Sequence, residues 1–168
     1  CRLATLDGAC HSCCWNTRIA DYNSKQGTAV NHARFTLRAD GDRLAGGLLR
    51  DLDARDVFAA EPRRTFRWHR GQRHYPGRYW SATTGSFVGY ESRLELAALL
   101  LEDFDERVVR IASQPFELIA DRDGVQRSYV PDYMIEHRDQ RFTVIEVKPR
   151  RRLEDPEISG ALKWAGET

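Results

Sequence analysis

After residue 14 the sequence contains no cysteine: Cys1, Cys10, Cys13 and Cys14 are the only four. Disulfides therefore cannot staple the body of the fold, whose stability must come from a packed core. CHSCC holds a single C-x-x-C, only His11 adds to its thiols, and no second pair follows, so free thiols in a loose segment fit better than a zinc site. Long apolar runs are also missing. Nothing approaches the ~18 residues needed to cross a bilayer, and no charged start leads into an apolar stretch as a secretory signal would, which points to an intracellular, cytoplasmic protein. Net charge is nearly absent, since 26 Lys and Arg face 25 Asp and Glu, so any grip on a nucleic acid has to be local. There is no internal repeat and no low-complexity tract. The chain starts with Cys rather than Met, as a fragment or a processed product would.

What is present suits one globular domain with extra terminal segments: 168 residues, 41% hydrophobic and 30% charged. Residues 1–33 show neither helix nor strand period and read as an irregular segment. Residues 34–88 read as a small β-rich extension. It opens with ARFTLRADGDRLAGGLLRDL, which alternates on both sides of an Asp-Gly turn signal and predicts a hairpin. Residues 63–80 then carry six arginines, His69 and His74, and no acid, interleaved with Phe66, Trp68, Tyr75, Tyr79 and Trp80. Arg67, Arg70, Arg73 and Arg78 suit phosphate contacts, and the rings suit sugar or base packing. The plainer alternative is a hairpin with core aromatics and solvated arginines.

Residues 89–168 form the expected core. YESRLELAALLLEDFDE predicts a helix with Leu94, Ala97, Leu101 and Phe104 as its core stripe. RVVRIASQPFELIA, RSYVPDYMIEH and RFTVIEVKP follow as three strand-like runs, expected to form a meander with turns at Asp123-Gly124 and near Arg138-Asp139. Pro156 suits the first turn of a last helix, and the chain stops within it.

The chemistry concentrates in YVPDYMI and VIEVKP. A period of two puts Glu146 and Lys148 on one face of their strand, and Asp132 on the neighbouring strand reaches the same edge, because paired strands lie about 4.8 Å apart. Carboxylates this close repel and favour a cation, and hard oxygen ligands suit Mg2+ or Mn2+. A divalent ion beside a lysine suits phosphodiester hydrolysis. The plainer alternative is a turn aspartate after Pro131 and an exposed Glu146–Lys148 pair, but Val144, Ile145 and Val147 around Glu146 argue for burial. His69, His74 and His137 read as surface or packing residues, since a hard cation prefers oxygen. Arg150, Arg151 and Arg152 place positive charge just after the acidic strand.

The spacing of PD, thirteen residues and EVK matches the PD-(D/E)XK nuclease signature. Over roughly residues 34–168, the ordered set YES-x-LE, QPF, PDY and EVKP resembles the TnsA-type endonuclease subunit of heteromeric bacterial transposases. The resemblance implies an α/β restriction-endonuclease-like core of helix, three-strand meander and helix, with a final strand missing because the chain is truncated at its C-terminal end. It implies a magnesium-dependent site of Glu95, Asp132, Glu146 and Lys148, with Asp132, Glu146 and Glu95 holding the ion and Gln114 beside it. It also implies DNA cleavage at transposon ends, in company with a DDE-type transposase subunit and an ATP-dependent regulator. Glu91 shares the helical face of Glu95 and stands as an alternative ligand, while Ser92 and Glu95 also form a capping box. Rival readings are a restriction or repair nuclease of the same superfamily, or a DNA-binding and assembly module that does not cut.

Overall fold

The structure, a computed structural model, describes residues 16–22, 33–39, 43–64, 75–122 and 124–167; for 16–22 it describes the backbone alone. Cys1, Cys10, Cys13, Cys14, His11, Phe66, Trp68, His69 and His74 lie outside the described residues, as do Arg67, Arg70 and Arg73.

The expected hairpin is β2 (Arg34–Arg38) paired antiparallel with β3 (Leu44–Leu48). A 3-10 turn at Leu49–Asp51 and the short helix α1 (Ala54–Ala59) follow, with Asp53 capping the helix by accepting from the Arg55 N–H at 2.8 Å. Strands β4 (Gly77–Ser81) and β5 (Ser86–Tyr90) form a separate hairpin that delivers the chain to α2 (Arg93–Phe104).

The three strand-like runs contain five strands rather than three, and they serve two sheets. The first run divides into β6 (Val108–Ser113) and β7 (Glu117–Arg122), and the second into β8 (Val125–Tyr129) and β9 (Tyr133–His137). The third is β10 (Phe142–Val147). One antiparallel sheet has the order β1–β10–β9–β6, where β1 is Asn16–Tyr22; the other has the order β3–β2–β7–β8. Both divisions coincide with a proline, Pro115 and Pro131, which has no N–H for a ladder and forces the chain to change direction. The meander expected from sequence survives as β6, β9 and β10, with the β7–β8 hairpin diverted into the second sheet. Gly124, at φ 76, supplies the left-handed residue that this hairpin turn requires.

Over Asn16–Tyr22, strand β1 corrects the reading of residues 1–33 as irregular; residues 1–15 and 23–32 lie outside the described residues. It pairs with the outer edge of β10, with Asn16 opposite Val147 and Thr17 opposite Glu146. The local pattern of NTRIADY is weak, and what recruits it is the row of β10 backbone groups that would otherwise face no partner. The last helices are α3 (Arg150–Leu153), a single turn, and α4 (Pro156–Glu167). None of the described helices is long and apolar enough to cross a membrane.

Two cores sit on opposite faces of the first sheet. Val88, Ala98, Leu99, Val108, Ile111, Tyr133, Ile135, Ile145 and Val147 make one; Phe35, Leu37, Val57, Phe116, Leu118, Ala120 and Met134 anchor the other, with Val144 and Tyr129 packed against it. Alternation along β9 and β10 sends successive side chains to the two cores. His137 is buried, with Nε2 2.8 Å from Thr143 Oγ1, and so packs rather than faces solvent.

Helix α2 departs from the expected stripe. Leu94 packs on the first core, but Leu101 is 67% and Phe104 82% exposed, and the buried positions are Ala98, Leu99 and Glu102. The reason is polar. Asp103 accepts hydrogen bonds from the Tyr79 and Ser81 hydroxyls and from the Ala82 and Thr83 N–H groups, which fixes the rotation of the helix against the β4–β5 hairpin. Burial raises the Asp103 pKa, but the bonds from Ser81, Tyr79 and Thr83 outweigh it and hold the group below its ordinary 3.8. Its contribution is therefore present above that ordinary value and lost as pH falls through the lower folded value. Asp103→Ala is expected to lower stability by about 2–4 kcal/mol in urea unfolding at neutral pH, with the gap to the parent closing below about pH 4.

Candidate active site

The two proline breaks lie side by side and create the site. Gln114, at φ 46, and Asp132 flank the crossing points between the sheets, and the Gln114 N–H donates to the Asp132 carbonyl at 2.8 Å. A non-glycine residue held in the left-handed region is strained unless its surroundings over-determine it. Here they do: the Gln114 carbonyl accepts from the Arg63 N–H at 3.1 Å, and its side chain bonds the Arg64 N–H and Glu91.

Asp132 ends the break before β9, and its Oδ2 accepts from the Val147 N–H at 2.7 Å. This bond ties the aspartate to the end of the catalytic-strand candidate β10. Glu146 is buried within β10; its Oε1 is paired with the Lys148 ammonium, and its Oε2 accepts from the Tyr129 hydroxyl at 2.6 Å. Lys148 Nζ also stands 4.0 Å from Asp132 Oδ2. The structure thus brings Asp132, Glu146 and Lys148 together, with one ammonium shared between two carboxylates.

The electrostatics follow from that crowding. Burial, and then the charge of Glu146, push Asp132 up to about 7 against the opposing pull of Lys148 and the Val147 N–H. Burial works against the Lys148 ammonium, yet Asp132 and Glu146 outweigh it and hold the lysine above its ordinary value. Tyr129 is driven well above its ordinary range by burial and by Glu146, so it remains a protonated donor.

Glu95 approaches from α2, where its carboxylate is engaged at the helix start. It closes a cap at the helix start: Ser92 Oγ accepts from the Glu95 N–H at 3.1 Å, Glu95 Oε1 takes the Ser92 hydroxyl at 2.9 Å, and Oε2 takes the Glu91 N–H at 2.7 Å. Its charge is nevertheless felt at Asp132 and Lys148, and burial raises its own pKa. Glu91 is turned to the Gln114 amide at 2.8 Å and to Arg64. Among the described residues, no group of three or more His, Cys, Asp or Glu is arranged to hold a metal ion. Arg150, Arg151 and Arg152 form the exposed turn α3 directly after Lys148, and Arg78 lies on the exposed face of β4 beside the edge-to-face Trp80–Phe87 pair.

Sequence reasoning missed Tyr129. Its only signal is position, three residues before Asp132 at the end of a strand whose neighbours are exposed. Tyr129→Phe removes one hydroxyl and leaves Glu146 Oε2 without its donor. It is expected to lower stability by about 1–2 kcal/mol, read from urea unfolding.

Two carboxylates and one ammonium, with Glu146 buried and Asp132 and Lys148 partly exposed, thus meet where the chain crosses between two antiparallel sheets. Residues 105–167 match the family model described as TnsA-like endonuclease N terminal, and the chain resembles the TnsA-type endonucleases over that stretch. The matched residues include Gln114, Tyr129, Asp132, Glu146 and Lys148, and begin just beyond α2 with its Glu95; Glu91, expected on the same helical face, instead precedes the Ser92 cap. No curated protein and no solved structure matches the chain.

Proposed function

We propose that this protein is a magnesium-dependent DNA endonuclease with a restriction-endonuclease-like core, cutting phosphodiester bonds at transposon ends beside a DDE-type transposase subunit and an ATP-dependent regulator. The observation that carries the reading is the meeting of Asp132, Glu146 and Lys148 within the stretch that matches the endonuclease family. The donors fit a hard cation: Asp132, Glu146 and Glu95 are all oxygen ligands, and one ammonium leaves them with surplus negative charge. Asp132 and Glu146 would hold Mg2+, or Mn2+, with Glu95 completing or supporting its shell. Such an ion polarises a phosphoryl oxygen and lowers the pKa of bound water.

The remaining tasks fall to the protein. Lys148 supplies positive charge where negative charge grows on the phosphate. Tyr129 fixes one oxygen of Glu146 and turns the other toward Lys148 and the substrate side. The Val147 N–H holds Asp132 in register with β10. Arg78, Arg150, Arg151 and Arg152 supply exposed charge for the DNA backbone, and Arg67, Arg70 and Arg73 would add to it.

One observation favours a second reading. Lys148 already stands between the two carboxylates, and Glu95 is engaged in its own cap, as a DNA-binding or assembly module that does not cut would allow. The test is nicking of transposon-end DNA with magnesium and with chelator, alongside calorimetric titration of magnesium. Chelator-sensitive nicking with metal uptake supports the endonuclease; DNA binding with neither supports the module. Nicking that is indifferent to the end sequence supports a restriction or repair nuclease.

A further inference from the structure

We infer that Arg64 is a phosphate-binding residue at the lip of the acidic cluster, held there by Gln114 and parked on Glu91 until substrate arrives. The inference deepens the endonuclease reading and rests on it for the identity of the anion, a DNA phosphate.

Every polar group of Gln114 is used to build this arrangement. Its N–H bonds the Asp132 carbonyl at 2.8 Å, its carbonyl takes the Arg63 N–H at 3.1 Å, its Oε1 takes the Arg64 N–H at 3.0 Å, and its Nε2 donates to Glu91 Oε1 at 2.8 Å. Gln114 is buried and sits at φ 46, so this bracket is fixed. The backbone of Arg64 is therefore tied, through one residue, to the backbone of Asp132.

The guanidinium is a different matter. Arg64 Nη1 lies 3.7 Å from Glu91 Oε2, with the arginine side chain 61% and the glutamate 35% exposed. An exposed pair at that separation is weak, whereas a guanidinium on a phosphate makes short charge-assisted bonds, so exchange from Glu91 to a phosphate is cheap. The preceding residue shows the contrast: Arg63 is largely covered and paired with Glu117, as a structural arginine would be. A site with surplus carboxylates repels DNA, and a fixed cation at its edge is what offsets that repulsion.

The test is fluorescence anisotropy of a labelled DNA duplex with the full chain, in chelator, across a range of salt concentrations. Arg64→Ala is expected to bind roughly tenfold more weakly at low salt and to flatten the slope of log affinity against log salt by about 0.9, the value of one phosphate contact. Arg64→Lys should recover the slope but not the full affinity. Gln114→Gly removes the bracket while easing the positive φ, and should weaken binding with the slope kept. Arg55, 85% exposed and paired with Asp53 on α1, is the comparison: Arg55→Ala should change neither quantity. An unchanged slope in Arg64→Ala, or an equal loss in Arg55→Ala, overturns the inference. Because cutting is blocked throughout, a protein that shows the slope change yet never nicks with magnesium would keep this contact and lose the endonuclease reading.

Discussion

Asp132→Asn is expected to abolish magnesium-dependent nicking, by about a thousandfold or more, in a protein at least as stable as the parent. The two halves of that result come from one cause. Asp132 is driven up to about 7 by burial and by Glu146, so its ionised form is uncomfortable in the folded state near neutral pH. Asparagine keeps an oxygen for the Val147 N–H, removes the charge, and takes away the anionic donor that a hard cation needs. Stability should rise by roughly 1 kcal/mol, the usual exchange of stability against activity at a strained site. Thermal melts and a nicking assay on the same preparation decide it. Undiminished nicking sinks the catalytic role, and a large fall in Tm would make Asp132 a structural residue instead.

Lys148→Met should have the opposite profile, losing stability as well as activity. Methionine keeps most of the side-chain length and none of the charge. Glu146 is then left buried beside Asp132 with Tyr129 as its remaining donor among the described residues. Breaking a buried pair costs about 3–5 kcal/mol, and here about 2–4 is expected, because Lys148 is partly exposed and Asp132 takes up a proton easily. The loss should shrink as pH falls from 8 to 5, since Asp132, raised to about 7, takes up a proton in that window and no longer needs the ammonium. Magnesium should restore part of it if the carboxylates take up the ion. A melting temperature equal to the parent's across that pH range would mean that the ammonium stabilises nothing.

Much of this was legible in the sequence, and the failures share a cause. The β2–β3 hairpin, the helix at 93–104, the strand at 142–147 and the meeting of Asp132 with Glu146 and Lys148 follow from period, turn residues and spacing. These are local signals. The second sheet was not legible, because a run such as RIASQPFELIA carries strand character on both sides of its proline, and nothing local says that β6 and β7 join different sheets. The exposed Leu101 and Phe104 escaped for the same reason: Asp103 sets the helix rotation through residues twenty or more positions away. Glu95 shows the reverse case: the local S-x-x-E pattern gave the cap that the structure displays, and the ligand role rests on the resemblance.

The pairing of β1 with β10 puts a segment from the far end of the chain alongside Glu146 itself. Shortening the protein to the stretch that matches the endonuclease family would strip that flank and leave a bare row of amides and carbonyls on the strand that carries the acid. Such a row invites a strand from a neighbouring molecule, so a trimmed preparation is prone to self-association through the very element whose chemistry it was made to study.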